Sequence, residues 1–348
     1  MILLNELLIK RNINSLKRKY NMLTRNDLIK NKSLLQDRAR ASLVGHAIGD
    51  SFGDIARSPD YHLQYGITMD FSDKPAPGTD DTEFALLTAQ TLIKAKGNLT
   101  DADVLESWKT HVLPLSELKR GGASEREAAA NIRRGVLPPF SGIYNSHYMS
   151  DGAAMRVTPI GIACAGDPER AAHLADIDAR ISHSRDGLWS AQSVAAAVAV
   201  AMAGATVDEI YQTAMDVTPK DSWMRFTFAK ALDIINEKKT LEDAWKPLHD
   251  ALWTEYKSVS PEAVASALAI LKLTNGDFKR GIIYSGNFGR DADTISAIVG
   301  AISGAMNGME SIPAAWVEKV RLTTGVCLPF TKGMDLFDVA SKLSDLIK

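Results

Sequence analysis

The chain has 348 residues, 45% of them apolar and 24% charged, with a net charge of −2. That excludes a disordered chain, and two cysteines, Cys164 and Cys327, exclude a disulfide framework or a thiolate zinc site. No apolar run approaches the roughly 18 residues of a membrane span, so a cytoplasmic protein with no membrane partner is expected.

The balanced charge hides an asymmetry. Residues 1–36 carry eight Lys/Arg and two acids, a net +6 against −8 for the remainder. In this basic arm Leu3, Leu4, Leu7 and Leu8 recur at helical spacing, and Thr24 or Asn26 is placed to start a second helix. Aromatic residues for stacking bases are nearly absent, so nucleic acid is not an expected partner.

From Gln36 onward the pattern is helical almost throughout. Ser124 and Glu127 read as a capping box, and Gly135 with Pro138-Pro139 ends that helix. Asp167-Pro168 reads as an N-cap followed by proline, and Thr206 with Glu209 and Ser260-Pro261 as further starts. Residues 187–203 are alanine-rich and predict a buried helix ending near Gly204. Asn275-Gly276 and Asn307-Gly308 lack alternating flanks and read as helix ends. The expected fold is all-α: a single-domain orthogonal helical bundle over 37–348, with residues 1–36 as a helical extension.

Two acidic clusters open helices. Gly78-Thr79-Asp80-Asp81-Thr82 leads into one, and Gly289-Arg290-Asp291-Ala292-Asp293-Thr294 into the other. Taken singly, either is explained by N-capping. Both lead into helices rich in small and apolar residues, which places both near the core. Carboxylates gathered there repel one another unless neutralised. Carboxylates with hydroxyls are the hard donors preferred by Mg²⁺ or Mn²⁺, and two clusters suit two ions.

These segments carry a resemblance. ARASLVGHAIGDSFGD, the TDDT segment, SDGAAMRVTPIG at 150–161, ISHS at 181–184 and GNFGRDADTISAIVGAISGA at 286–305 occur in one order. Together they resemble the ADP-ribosylglycohydrolase family over about residues 38–320. The resemblance implies an all-α fold, two Mg²⁺ (or Mn²⁺) ions, and hydrolysis of the bond joining ADP-ribose to a modified protein side chain. Arginine is the first expectation for that side chain, with serine and other conjugates as alternatives.

By position, the implied metal ligands are Thr79, Asp80, Asp81, Asp291, Asp293 and Thr294. Asp80, Asp81 and Asp293 are the candidates to take a proton from water. The implied substrate-binding residues are Ser150, Asp151, Gly152 and His183, with Gly286, Asn287, Phe288, Gly289 and Arg290. One departure stands out. Arg57 occupies the position where many members carry a glutamate, and the nearest acid, Asp54, is expected on a different side of the helix.

The arm lies outside the resemblance. Some members look like immunity proteins, so an ADP-ribosyltransferase toxin bound by residues 1–36 is one expected partner, beside the ADP-ribosylated protein substrate. A non-catalytic ADP-ribose-binding or toxin-inhibiting protein is the alternative to an enzyme.

Overall fold

The computed structural model describes residues 22–57, 66–71 and 76–347. The toxin-binding role expected of residues 1–36 falls in part on residues 1–21, which lie outside the described residues. Among those described, the chain is all-α, with two isolated β-bridges, Ser150 to Val259 and Leu322 to Asp335.

In chain order the helices are α1 (Arg25–Lys30), α2 (Lys32–Ala56), α3 (Asp80–Lys94), α4 (Asp101–His111), α5 (Ala123–Arg133) and α6 (Phe140–Ile143). There follow α7 (Thr158–Ala163), α8 (Pro168–Ala179), α9 (Arg185–Ala201), α10 (Val207–Asp216), α11 (Trp223–Glu237) and α12 (Leu241–Leu252). The last five are α13 (Ser260–Leu273), α14 (Phe278–Gly286), α15 (Ala292–Asn307), α16 (Ala314–Val320) and α17 (Leu336–Ser344).

Most starts follow local chemistry. Thr24 caps α1 reciprocally with Asp27, and Thr206 caps α10 reciprocally with Glu209. Asp167 caps α8 with Pro168 at its first position. Gly204, Gly276 and Gly308 follow α9, α13 and α15 with left-handed backbones, so these helices end where the sequence placed their ends.

Two starts differ from expectation. The N-cap of α5 is Gly122, and Ser124 already lies inside the helix. Its hydroxyl donates to Glu125 at 2.9 Å, while Glu127 faces His147 at 3.0 Å instead of closing a box. Ser260 is likewise a helical residue of α13, behind the N-cap Val259. Its hydroxyl donates to the Met149 carbonyl at 3.0 Å, tying α13 to a distant loop instead of to its own first turn.

Residues 22–36 pack on the body: Leu28 and Leu35 are buried in the core, and α2 runs through residue 36 without a break. At the centre, α2 and α15 lie antiparallel with backbones in contact. A Cβ added at Gly45, Gly49 or Gly53 would collide with the carbonyl of Gly300, Ser296 or Ala292, and one at Gly304 with that of Ala41. The four-residue spacing on both helices makes one continuous small-residue face, so the ridges interlock at the shortest possible distance. This contact sets Asp50, in the second half of α2, beside Asp293, in the first turn of α15.

Candidate active site

The cluster forms where α2, α3 and α15 meet. Thr79 caps α3, its hydroxyl accepting from the Asp81 N–H at 3.3 Å. Asp50 reaches the same helix start from α2. Its Oδ2 accepts from the Thr79 N–H at 2.9 Å, the Thr82 N–H at 3.2 Å and the Thr82 hydroxyl at 2.5 Å. Asp50, Asp81 and Asp293 are all buried, and one oxygen of each lies within 4.8 Å of the others.

Burial pushes the carboxyls of Asp80 and Asp81 well above their usual range, reinforced by Glu125 next to Asp80 and by Asp293 next to Asp81. Asp293 is pushed up to about 7, first by burial and then by Asp291. Such a set favours either bound protons or a bound cation. Four buried aspartate oxygens make no hydrogen bond among the described residues: Asp50 Oδ1, Asp81 Oδ2, Asp151 Oδ2 and Asp293 Oδ1. Burying charged oxygens unpaired is costly, and hard, negatively charged donors of this kind fit a divalent cation.

Asp81 and Asp293 of the cluster line a cleft of about 340 Å³, with Asp50 buried behind them. One wall carries Asp80, Asp81, Asp291, Asp293, Thr294 and Arg57; the other carries Glu125, Ser150, Asp151, Gly152, Tyr256 and Lys257. Thr79 stands behind this surface with its hydroxyl toward Asp81 Oδ1 at 3.3 Å.

The second wall is held from behind by Arg156, whose guanidinium is fully buried. It donates to Asp178 at 2.7 Å, the Gly152 carbonyl at 3.1 Å, the Ser182 hydroxyl at 3.0 Å and Glu125 at 3.3 Å. Gly152 has no room for a Cβ, which would run into Glu125. His183 sits behind Ser150, with Nε2 at 2.9 Å from the Ser150 hydroxyl and Nδ1 at 2.7 Å from that of Ser182. Burial, with Arg156 nearby, pushes its pKa well down, so the imidazole is neutral and orients Ser150.

The segment Gly286–Arg290 is placed otherwise than its sequence suggests. None of its residues lines the cleft. Gly286 makes room for the Phe52 ring, and the Asn287 side chain bonds both backbone groups of Thr68, at 2.8 and 2.7 Å. Phe288 stacks on His249, with ring centroids 4.2 Å apart. Gly289 adopts a left-handed turn, and Arg290 pairs with Glu262 beneath the Trp253 ring. These residues brace the entry into α15.

Sequence reasoning missed Asp50, Glu125 and Arg156. Asp50 and Arg156 stand inside quoted motifs, GDSFGD and SDGAAMR. Glu125 carries no local signal, because its place is set by contacts from Ser124, Arg156 and Gly152. The expectation for Asp54 is corrected: it lies three residues before Arg57 on the same helix face, and the two pair at 3.0 Å. The Arg57 guanidinium continues to Asp293 at 2.5 Å and Asp291 at 3.5 Å.

The architecture is that of ADP-ribosylglycohydrolase folds. A solved structure titled "ADP-ribosylglycohydrolase-related protein complex" superposes with a TM-score of 0.63 at 21% identity, over 91% of this chain and 100% of that one. The sequence profile described as ADP-ribosylglycohydrolase matches residues 31–347, and the chain belongs to that family. Among its relatives, the ADP-ribosyl-[dinitrogen reductase] glycohydrolase of Rhodospirillum rubrum is 25% identical over 82% of this chain and 91% of its own length. An ADP-ribosylarginine hydrolase of Pseudomonas putida (strain GB-1) is 24% identical over 89% and 80%. The ADP-ribosylhydrolase ARH3 of Bos taurus is 25% identical over 80% and 87%. Membership of the family supports an ADP-ribosyl hydrolase activity, the removal of ADP-ribose from modified substrates. No helix among the described residues is long and apolar enough to cross a membrane.

Proposed function

We propose that the protein is a metal-dependent hydrolase that releases ADP-ribose from modified protein side chains, with arginine as the linkage. The observation that carries this reading is the convergence of unpartnered buried carboxylate oxygens beside the cleft. Arginine is favoured because acids line the cleft where a cationic leaving group would rest, and because one relative is named for that linkage.

Asp50, Asp81 and Asp293 would hold one Mg²⁺ or Mn²⁺, with Thr79, Asp80 and Thr294 beside them. Asp291 and Asp151 would form the place of a second ion. Such ions supply Lewis-acid polarisation and orientation of ribose hydroxyls and water. Asp80, on the cleft wall, is the group placed to take the water's proton, and the carboxylates around it favour a transition state with oxocarbenium character. Ser150 and the Gly152 backbone, held by His183 and Arg156, orient the sugar. The water oxygen bonds to the anomeric carbon as the C–N bond breaks, and the guanidine, which keeps the electron pair of that bond, takes up a proton from solvent; Glu125, beside Asp80, lines the cleft where it departs.

The test is release of ADP-ribose from an arginine-modified protein with Mg²⁺ and with EDTA, alongside a serine-modified substrate. Metal-dependent release from the arginine substrate, lost in Asp81→Ala, is expected. Tight ADP-ribose binding without release from either substrate would overturn the enzyme reading in favour of a binding protein.

A further inference from the structure

Within the carboxylate cluster the chain's own cations are not evenly placed. Asp291 Oδ1 lies 3.5 Å from Arg57 Nη1 and 3.4 Å from Lys257 Nζ, so it already has two positive partners. Asp293 is divided: Oδ2 meets Arg57 at 2.5 Å, while Oδ1 has no partner. Asp50 Oδ1 and Asp81 Oδ2 are unpartnered as well. Three aspartates that approach one another therefore each keep one oxygen open. At Asp291, by contrast, Oδ1 is already held by Arg57 and Lys257, and the open oxygen on that side is Asp151 Oδ2.

From this asymmetry we propose that Arg57, assisted by Lys257, acts as a built-in counter-cation at the Asp291 side of the site. The protein then binds one divalent ion tightly at Asp50, Asp81 and Asp293, and a second only by displacing the Arg57 guanidinium. This rests on the metal-dependent reading above and deepens it.

The geometry permits the exchange. Arg57 is the C-cap residue of α2, with about a quarter of its side chain exposed, and Asp54 holds a second edge of its guanidinium at 3.0 Å. Released from Asp293, the side chain keeps that anchor and turns toward solvent. A guanidinium between two carboxylates also repels an approaching dication, and a second ion must overcome that repulsion and the loss of the ion pairs.

The test is a Mn²⁺ titration of the full, metal-free chain, read by calorimetry and by the paramagnetic resonance signal of free Mn²⁺. Wild type is expected to bind one Mn²⁺ tightly and a second at least about tenfold more weakly. Arg57→Ala should bring the second affinity up by about tenfold or more, and Arg57→Lys, which keeps the charge, should stay close to wild type. Lys257→Ala should shift the second affinity in the same direction by less. Thermal unfolding of each variant checks that it is folded, and Arg57→Gln serves if Arg57→Ala is not. Two equal sites in wild type, or an unchanged second affinity in a folded Arg57 variant, would overturn the proposal. Absence of any Mn²⁺ binding in all variants would instead overturn the metal-dependent reading beneath it.

Discussion

Asp50 accepts the backbone N–H of Thr79 at 2.9 Å, so a carboxylate in the second half of α2 caps α3 while its other oxygen stays buried and unpartnered. One side chain therefore joins two helices and contributes to the cluster.

Asp50→Asn separates these roles. The amide oxygen still accepts from Thr79 and Thr82, and one of the repelling charges is gone. The metal-free variant is expected to melt at or above the wild-type temperature. Mn²⁺ raises the melting temperature of wild type by mass action, and that rise should be largely lost in Asp50→Asn. An undiminished rise would remove Asp50 from the ion-holding set.

Arg156 offers a test of the opposite wall. It is buried with Asp178 and Glu125 as its partners. Removing the guanidinium strands both acids, and breaking a buried pair from one side costs about 3–5 kcal/mol. Arg156→Met should show that loss in urea unfolding. Arg156→Lys should recover only part of it, since one ammonium cannot reach the four groups the guanidinium spans. A loss below about 1 kcal/mol in Arg156→Met would show that the wall stands without it.

Gly49→Ala tests the helix contact. The added methyl group meets the Ser296 carbonyl and must push α2 from α15. Overpacking of this kind costs about 1–3 kcal/mol or more. Because Asp50 is the next residue and Asp293 lies one turn from Ser296, Mn²⁺ affinity should fall together with stability. Stability lost with affinity unchanged would mean that the site does not depend on this spacing.

His183 predicts a pH effect with a definite sign. Its folded-state pKa lies well below the ordinary histidine value of about 6.5. The unfolded chain therefore takes up a proton that the folded chain refuses. This contribution to stability is complete above pH about 6.5 and declines as the pH falls below it. Buried His46, also lowered by burial, adds in the same direction. The ring signals of His183 in NMR should show no midpoint near the ordinary histidine value of about 6.5. A midpoint near 6.5 would show that the imidazole is solvated and does not hold Ser150 as described.

The parts of this protein visible in its sequence are those specified by local chemistry. Thr24, Asp167 and Thr206 announce their helices because a cap bonds within its own first turn. The two acidic helix starts were visible for the same reason, and their convergence followed from the small and apolar residues after them. Ser124 and Ser260 misled because their hydroxyls bond across the fold, that of Ser124 accepting from the Ser150 hydroxyl and that of Ser260 donating to the Met149 carbonyl. Glu125 had no signal, since what matters about it is the approach of Arg156 and Gly152. The GNFGR stretch looked like a ligand loop, yet its glycines serve Phe52 and a turn. A glycine states that something comes close, without saying whether it is a ligand or a ring.

The contact between α2 and α15 sets the distance between Asp50 and Asp293 through two helix backbones. That distance depends on glycines without side chains, so the contact tolerates almost no substitution. The segments Ser150–Gly152 and 256–258 line the same cleft from outside that contact. Lys257 is tied to Asp291 at 3.4 Å, which makes Tyr256 the first position to vary in a search for altered linkage preference.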